Sequence, residues 1–354
     1  IDGRGGFDMV DYSGNNSSQS VSVNLIDGRA NDGLGGTDTL SSIEYARGGS
    51  GNDTLIGNTA DNEFRGNGGS DSILGGDGYD IADYANNLAS QAISVNLGTG
   101  RANDGLGGTD TLSSIEYVRG GAGNDTLIGG DANERFRGNA GNDSLDGGAG
   151  TGDVADYAFA TAAVSVNLTT GRANDGQGGT DTLANIERVW GSAFADTLIG
   201  GAGNDVLRGN AGSDSIVGGE GSGDIVFFTG ATTGISVNLE TGFAQDGQGG
   251  TDTLTGIEIV WGSTGNDTML GGGGNDFFAG SSGADSFVGG AGDDQVSYGF
   301  YPADSGNPTQ GVSVDLLNGA GRDAFNGLDR FSGIEVVSGS SFADTISGGA
   351  AAET

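Results

Sequence analysis

The chain contains no cysteine and no histidine, and all 13 of its basic residues are arginine, so it has no lysine either. Without cysteine there is no disulfide framework, no thiolate zinc site and no thiol nucleophile. Without histidine and lysine the common general bases and the Schiff-base amine are missing. Carboxylate pairs for glycoside chemistry are formally present, but dozens of aspartates in equivalent repeated turns are better explained as metal ligands, and no enzyme is expected. No apolar run approaches the roughly 20 residues of a membrane span. The opening Ile1-Asp2-Gly3-Arg4 shows no signal-peptide core, so any address is expected to lie outside this sequence. Positive charge is also scarce: 48 acidic residues against 13 arginines leave a net charge of −35. That balance excludes nucleic acid and anionic membranes as partners and calls for cations. About 17 divalent ions would neutralise it.

What the sequence does have is glycine, 76 residues of it, and aspartate, which outnumbers the ten glutamates. Both recur at fixed intervals, which neither a disordered acidic tail nor a salt-adapted surface requires. A long repeat is marked by S-V-N-L beginning at Ser22, Ser94, Ser165 and Ser236, then S-V-D-L at Ser313. These starts are 72, 71, 71 and 77 residues apart. Each complete copy continues through G-G-T-D-T-L and then I-E. The expected organisation is the end of one module over 1–21, modules at 22–93, 94–164, 165–235 and 236–312, and the start of a fifth at 313–354. Both ends fall inside a repeat, so a longer parent is expected. The extra residues of the fourth module, near 300–310, contain both prolines and read as a surface loop.

A shorter repeat of nine residues occupies the second half of each module, in the form G-G-x-G-x-D-x-U-x with U apolar. Its acidic slot falls at Asp53, Asn62, Asp71 and Asp80, then at Asp125, Glu134, Asp143 and Asp153. The next copies give Asp196, Asp205, Asp214 and Asp224, then Asp267, Asp276, Asp285 and Asp294. Asp8 and Asp344 occupy corresponding slots in the incomplete flanking modules. Six glycine-rich residues can form a turn whose carbonyls converge on an ion, because glycine enters positive φ freely. The remaining three make a short strand with its central residue pointing inward. Two nonapeptides then close a coil of 18 residues, placing Asp53 beside Asp71 on one edge and Asn62 beside Asp80 on the other. Carboxylates with the carbonyls of Gly49, Gly51, Gly121, Gly123, Gly201, Gly203, Gly272 and Gly274 form a hard oxygen set that suits Ca²⁺ better than Mg²⁺, zinc or copper. Asn62 and Glu134 break the aspartate rule, and weaker or no binding is expected there.

The front half of each module lacks nine-residue spacing but keeps short strand patterns between glycine-rich turns. The simplest reading is an all-β, right-handed parallel β-roll, a β-solenoid with Ca²⁺ between its turns and about four coils per 71-residue module. The alternative is metal-binding rolls alternating with small metal-free β segments. Asp38, Asp110, Asp181 and Asp252, each following G-G-T, are counted as additional ligands.

These turns resemble the hemolysin-type calcium-binding repeats of the repeats-in-toxin (RTX) family, and the longer unit resembles segments of very large bacterial adhesins and surface-layer proteins. The resemblance implies type I secretion, folding on extracellular calcium, and an extracellular, cell-surface location. It favours a structural role as adhesin extender, lattice or filament subunit. The alternatives are a calcium-dependent accessory or polysaccharide-binding module of a secreted enzyme, such as an alginate epimerase or protease, and the repeat region of a toxin. Calcium is the expected partner, with copies of the chain or a cell-surface polysaccharide as further candidates. After I-E-x-V, equivalent positions hold Arg47, Arg119, Trp190, Trp261 and Ser338, as an outward-facing site would. Trp190 and Trp261 are candidate contacts for a sugar or a neighbouring chain, or else fold over the solenoid edge.

Overall fold

A computed structural model of the protein describes residues 1–231, 233–299, 308 and 310–349. The expected loop near 300–310 lies almost wholly outside these residues. Among the described residues all regular structure is β, and no helix is long and apolar enough to cross a membrane. The chain forms two compact units, Ile1–Tyr157 with Gly171–Ile186, and Ala158–Thr170 with Glu187–Thr354.

In the first unit the coil runs as the nine-residue step dictates. Tyr45–Arg47 and Glu63–Arg65 pair in parallel in one sheet, and Thr54–Ile56 and Ser72–Leu74 pair in parallel in the other. The register is 18 residues, with Ala46 opposite Phe64 and Leu55 opposite Ile73. In each of these strands the central residue is buried. The core alternates in size along the first sheet: Phe64 lies between Ala46 and Ala82, so one large ring fills space left by two methyl groups.

The front half of the module builds something else. Ser94–Asn96, Arg101–Asn103 and Thr109–Ser113 form an antiparallel meander, with Val95 opposite Ala102 and Ala102 opposite Asp110. Its outer strands join the parallel ladder on both sides, Thr111–Ser113 on Ser72–Leu74 and Ser94–Asn96 on Thr126–Ile128. The first sheet receives no such insertion, since Ile81–Asp83 pairs directly with Tyr117–Arg119. One module therefore adds three strands to the first sheet (Tyr117–Arg119, Arg135–Arg137, Val154–Asp156) and five to the second. The roll is confirmed, and the module expected to hold about four coils consists of three first-sheet strands and five second-sheet strands, three of which form the meander.

The second unit repeats the scheme. Arg188–Trp190, Val206–Arg208, Ile225–Phe227, Ile259–Trp261, Phe277–Ala279, Gln295–Ser297 and Val336–Ser338 line its parallel sheet. Antiparallel meanders at Ser236–Thr255 and Ser313–Ser332 enter the other.

Candidate metal centres

Each turn brings its acidic residue to the edge of the stack, where the side chain replaces a missing partner for the backbone of the turn before it. The Asp53 N–H donates to Asp71 Oδ1 at 2.7 Å, and the Asp71 N–H to Asp110 Oδ1 at 2.9 Å. On the opposite edge the Asn62 N–H donates to Asp80 Oδ1 and the Asp80 N–H to Glu116 Oε2, both at 2.8 Å. The same ladders recur from Asp125 to Asp143 to Asp181, from Asp196 to Asp214 to Asp252, and from Asp267 to Asp285 to Asp329. Glu134 donates to Asp153, Asp205 to Asp224 and then Glu258, and Asp276 to Asp294 and then Glu335. Asp8 donates to Glu44.

The second carboxylate oxygen divides the turns into two kinds. In the first nonapeptides of a module it is closed by the N–H four residues earlier: Gly49 on Asp53, Gly121 on Asp125, Gly130 on Glu134, Gly201 on Asp205 and Gly272 on Asp276, while the single amide oxygen of Asn62 takes the Asn58 N–H. Ser192, Ser263 and Ser340 close Asp196, Asp267 and Asp344 with both N–H and hydroxyl. In the later turns it is buried and meets no hydrogen-bond donor, as at Oδ2 of Asp71, Asp80, Asp143, Asp214, Asp224 and Asp294; Oδ2 of Asp8 is also of this kind. A buried carboxylate oxygen without a donor is expensive unless a cation answers it. Burial accordingly pushes Asp71, Asp143 and Asp214 up to about 8 and Asp285 to about 9.

The glycines that open these turns let main chain and carboxylate approach closely. A Cβ on Gly75 would collide with the Ser114 carbonyl oxygen and lie 2.5 Å from Asp80 Oδ2. On Gly218 it would collide with the Gly256 carbonyl and lie 2.6 Å from Asp224 Oδ2; on Gly289, with the Gly333 carbonyl and Asp294 Oδ2. A carboxylate oxygen and a carbonyl from the next coil thus lie beside the same glycine, and both are hard oxygen donors of the kind a divalent cation such as Ca²⁺ takes. Among the described residues no group of three or more acidic side chains gathers on one point, so each site would combine few carboxylates with backbone carbonyls.

The carbonyls of Gly51, Gly123, Gly201, Gly203, Gly272 and Gly274 face the turn of the following coil, at Gly69, Gly141, Gly219, Gly221, Gly290 and Gly292. That of Gly49 accepts the Gly68 N–H at 3.3 Å. Asp110 is placed differently from the turn aspartates. It sits on the inward side of the meander, where Oδ1 takes the Asp71 N–H and Oδ2 takes the Tyr84 hydroxyl at 2.9 Å. Tyr157 holds Asp181 and Tyr298 holds Asp329 in the same way, and Tyr12 donates to Asp38 at 2.7 Å. Both oxygens of Asp110, counted from the sequence as an additional ligand, are occupied by donors. In the fourth copy the buried Phe228 stands at the position of the tyrosine, and Asp252 at that of the aspartate. Glu44, Glu116, Glu258 and Glu335 complete the edge ladders and were not singled out from sequence, although their recurrence in every I-E pair was visible. Trp190 and Trp261 lie half-buried on the outer side of the parallel sheet, with Trp261 packed on Phe227 at a ring distance of 4.4 Å.

The model of the RTX calcium-binding nonapeptide repeat family matches residues 47–82, 104–145, 119–152, 190–225, 261–296 and 331–354. A comparison with curated proteins gave no match. With more than half of its length matched, the chain belongs to the RTX calcium-binding nonapeptide repeat family, and it is a calcium-binding repeat region built as an all-β roll.

Proposed function

We propose that this repeat region is a structural segment of a secreted bacterial cell-surface protein, an adhesin extender or a lattice or filament subunit, that folds on extracellular Ca²⁺ and has no catalytic activity of its own. The observation that carries the reading is the regular series of buried carboxylate oxygens without donors, at Asp71, Asp80, Asp143, Asp214, Asp224 and Asp294. Bound calcium supplies the positive charge these oxygens require. Without it, the fold must bury carboxylates against one another in a chain of charge −35, so binding free energy becomes folding free energy. Extracellular calcium modules bind at about 10⁻⁴ to 10⁻³ M, which keeps such a chain unfolded at cytosolic calcium. Near-identical modules add length without adding chemistry, which supports the structural role.

A second reading, a glycan-binding accessory module, draws support from the parallel sheet of the second unit. Its outward positions include Arg188, Trp190, Arg208, Phe227 and Trp261, and no acidic residue occurs in these strands. Far-UV circular dichroism during a calcium titration from EDTA, with magnesium as control, tests the main reading. β-structure is expected to appear cooperatively near millimolar calcium. Full structure in EDTA would overturn calcium-driven folding, and scattering that rises with folding would favour assembly over a monomeric spacer.

A further inference from the structure

The nonapeptide turns stop at Asp80 and resume at Asp125, yet the edge does not lose its oxygen-lined character between them. The meander turn 104–108 lies over the nonapeptide turn 66–71. Asp104 Oδ1 accepts the N–H groups of Leu106 and Gly108, both at 2.8 Å, and this fixes the carboxylate in the mouth of its own turn. Oδ2 is left with no donor, and Asp104 is 0% exposed. A Cβ on Gly108 would collide with the Gly69 carbonyl oxygen and lie 2.8 Å from Asp104 Oδ2. A carboxylate oxygen and a carbonyl from a neighbouring turn meet one glycine in the same way at Gly75, Gly218 and Gly289, and also at Gly200 and Gly271, where N–H groups close the carboxylate; Asp104 belongs with the first three because its Oδ2 has no donor.

The arrangement recurs three times. Asp175, Asp246 and Asp323 are each 0% exposed with an Oδ2 that meets no donor. Beside Gly179, Gly250 and Gly327 these oxygens lie 2.6, 2.8 and 2.7 Å from the Cβ position, and the carbonyls of Gly141, Gly212 and Gly283 crowd the same point.

We propose that Asp104, Asp175, Asp246 and Asp323 are calcium ligands, each holding an ion between a meander turn and the nonapeptide turn it covers, with Gly69, Gly141, Gly212 and Gly283 supplying the facing carbonyls. The meander turn stands in for a nonapeptide turn, so the last nonapeptide turn on that edge gains a metal-sharing neighbour. Asp71, in the same turn as Gly69, also has an Oδ2 without a donor. The inference rests on the calcium-folding reading and extends it to residues outside the nonapeptide pattern.

The test counts calcium by equilibrium dialysis and metal analysis in three proteins. These are the wild type, D104N/D175N/D246N/D323N, and the charge-matched D27N/D131N/E220Q/E240Q, whose acids are exposed. The first variant is expected to bind four fewer ions per chain and the second to bind the wild-type number. Equal losses in both, or none in the first, would overturn the assignment. If the fourfold variant does not fold, crystals of the calcium-bound wild type decide it through anomalous scattering: peaks beside Gly108, Gly179, Gly250 and Gly327 support the proposal, and peaks confined to the nonapeptide turns refute it. A wild type that binds no calcium would overturn the underlying reading instead.

Discussion

Replacing Tyr84 with phenylalanine removes one hydroxyl from the hinge between the meander and the roll. That hydroxyl donates to Asp110 Oδ2, a carboxylate that burial has pushed up to about 6 and that is ionised at pH 7.5. Burial and the neighbouring carboxylate hold Tyr84 well above its ordinary range, so it remains a donor throughout. Losing a hydrogen bond to a charged group costs about 1.5 to 3 kcal/mol. The protein contains its own comparison. Asp252, in the copy that carries Phe228, is pushed to about 7, while its tyrosine-bonded counterparts Asp110, Asp181 and Asp329 stand at about 6. The local readout is hydrogen exchange of the Asp71 amide, which donates to Asp110 Oδ1. In calcium at pH 7.5, Tyr84→Phe should speed its exchange by roughly 10- to 150-fold if opening limits exchange at equilibrium. Phe228→Tyr should slow the Asp214 amide, which donates to Asp252 Oδ1 at 2.9 Å. Changes below about threefold in both directions would refute the idea that these tyrosines hold the meander to the roll.

Acid should partly replace calcium. Burial raises Asp71, Asp143 and Asp214 to about 8 and Asp285 to about 9, so the calcium-free fold holds protons that an unfolded chain releases near pH 4. The folded state binds more protons, so its stability is greatest below the unfolded value and is lost as pH rises through about 8 to 9. In EDTA, circular dichroism should show more β-structure at pH 5 than at pH 9, and the opposite order would contradict the placement of these carboxylates. Asp156 accepts hydrogen bonds from Tyr117, Arg135 and Arg137 and is 0% exposed as a side chain. Asp156→Ala should therefore cost about 3 to 5 kcal/mol in calcium-saturated urea unfolding by leaving two arginines without their shared carboxylate.

The roll was legible in the sequence because its signal is metric. Aspartates nine residues apart put Asp53 over Asp71, and the structure pairs Thr54 with Ser72 and Tyr45 with Glu63 as that step requires. The meander was not, because S-V-N-L and T-D-T-L look like any other short strand and nothing in their composition states direction. A hint lay in the spacing. Val95, Ala102 and Asp110 share the inward column at intervals shorter than nine, with Gly100 at φ +66° turning the chain between the first two strands. The roles of Asp104 and Asp110 could not be separated from local sequence at all. They flank one glycine-rich turn, Asp104 opening it and Asp110 following it, and what distinguishes them is a hydroxyl from Tyr84, 26 residues before Asp110.

The edge ladders have a direction. In the carboxylate ladders the donor is the backbone of the earlier turn and the acceptor is the side chain of the later one, from Asp53 to Asp71 to Asp110 and again from Asp267 to Asp285 to Asp329. A second ladder runs the other way, with the Ser70, Asn142, Ser222 and Ala284 N–H groups donating back to Asn52, Asn124, Asn204 and Asn266. Each face of a coil therefore offers acceptors and donors together, so a bare coil end is an adhesive edge until another strand or chain covers it.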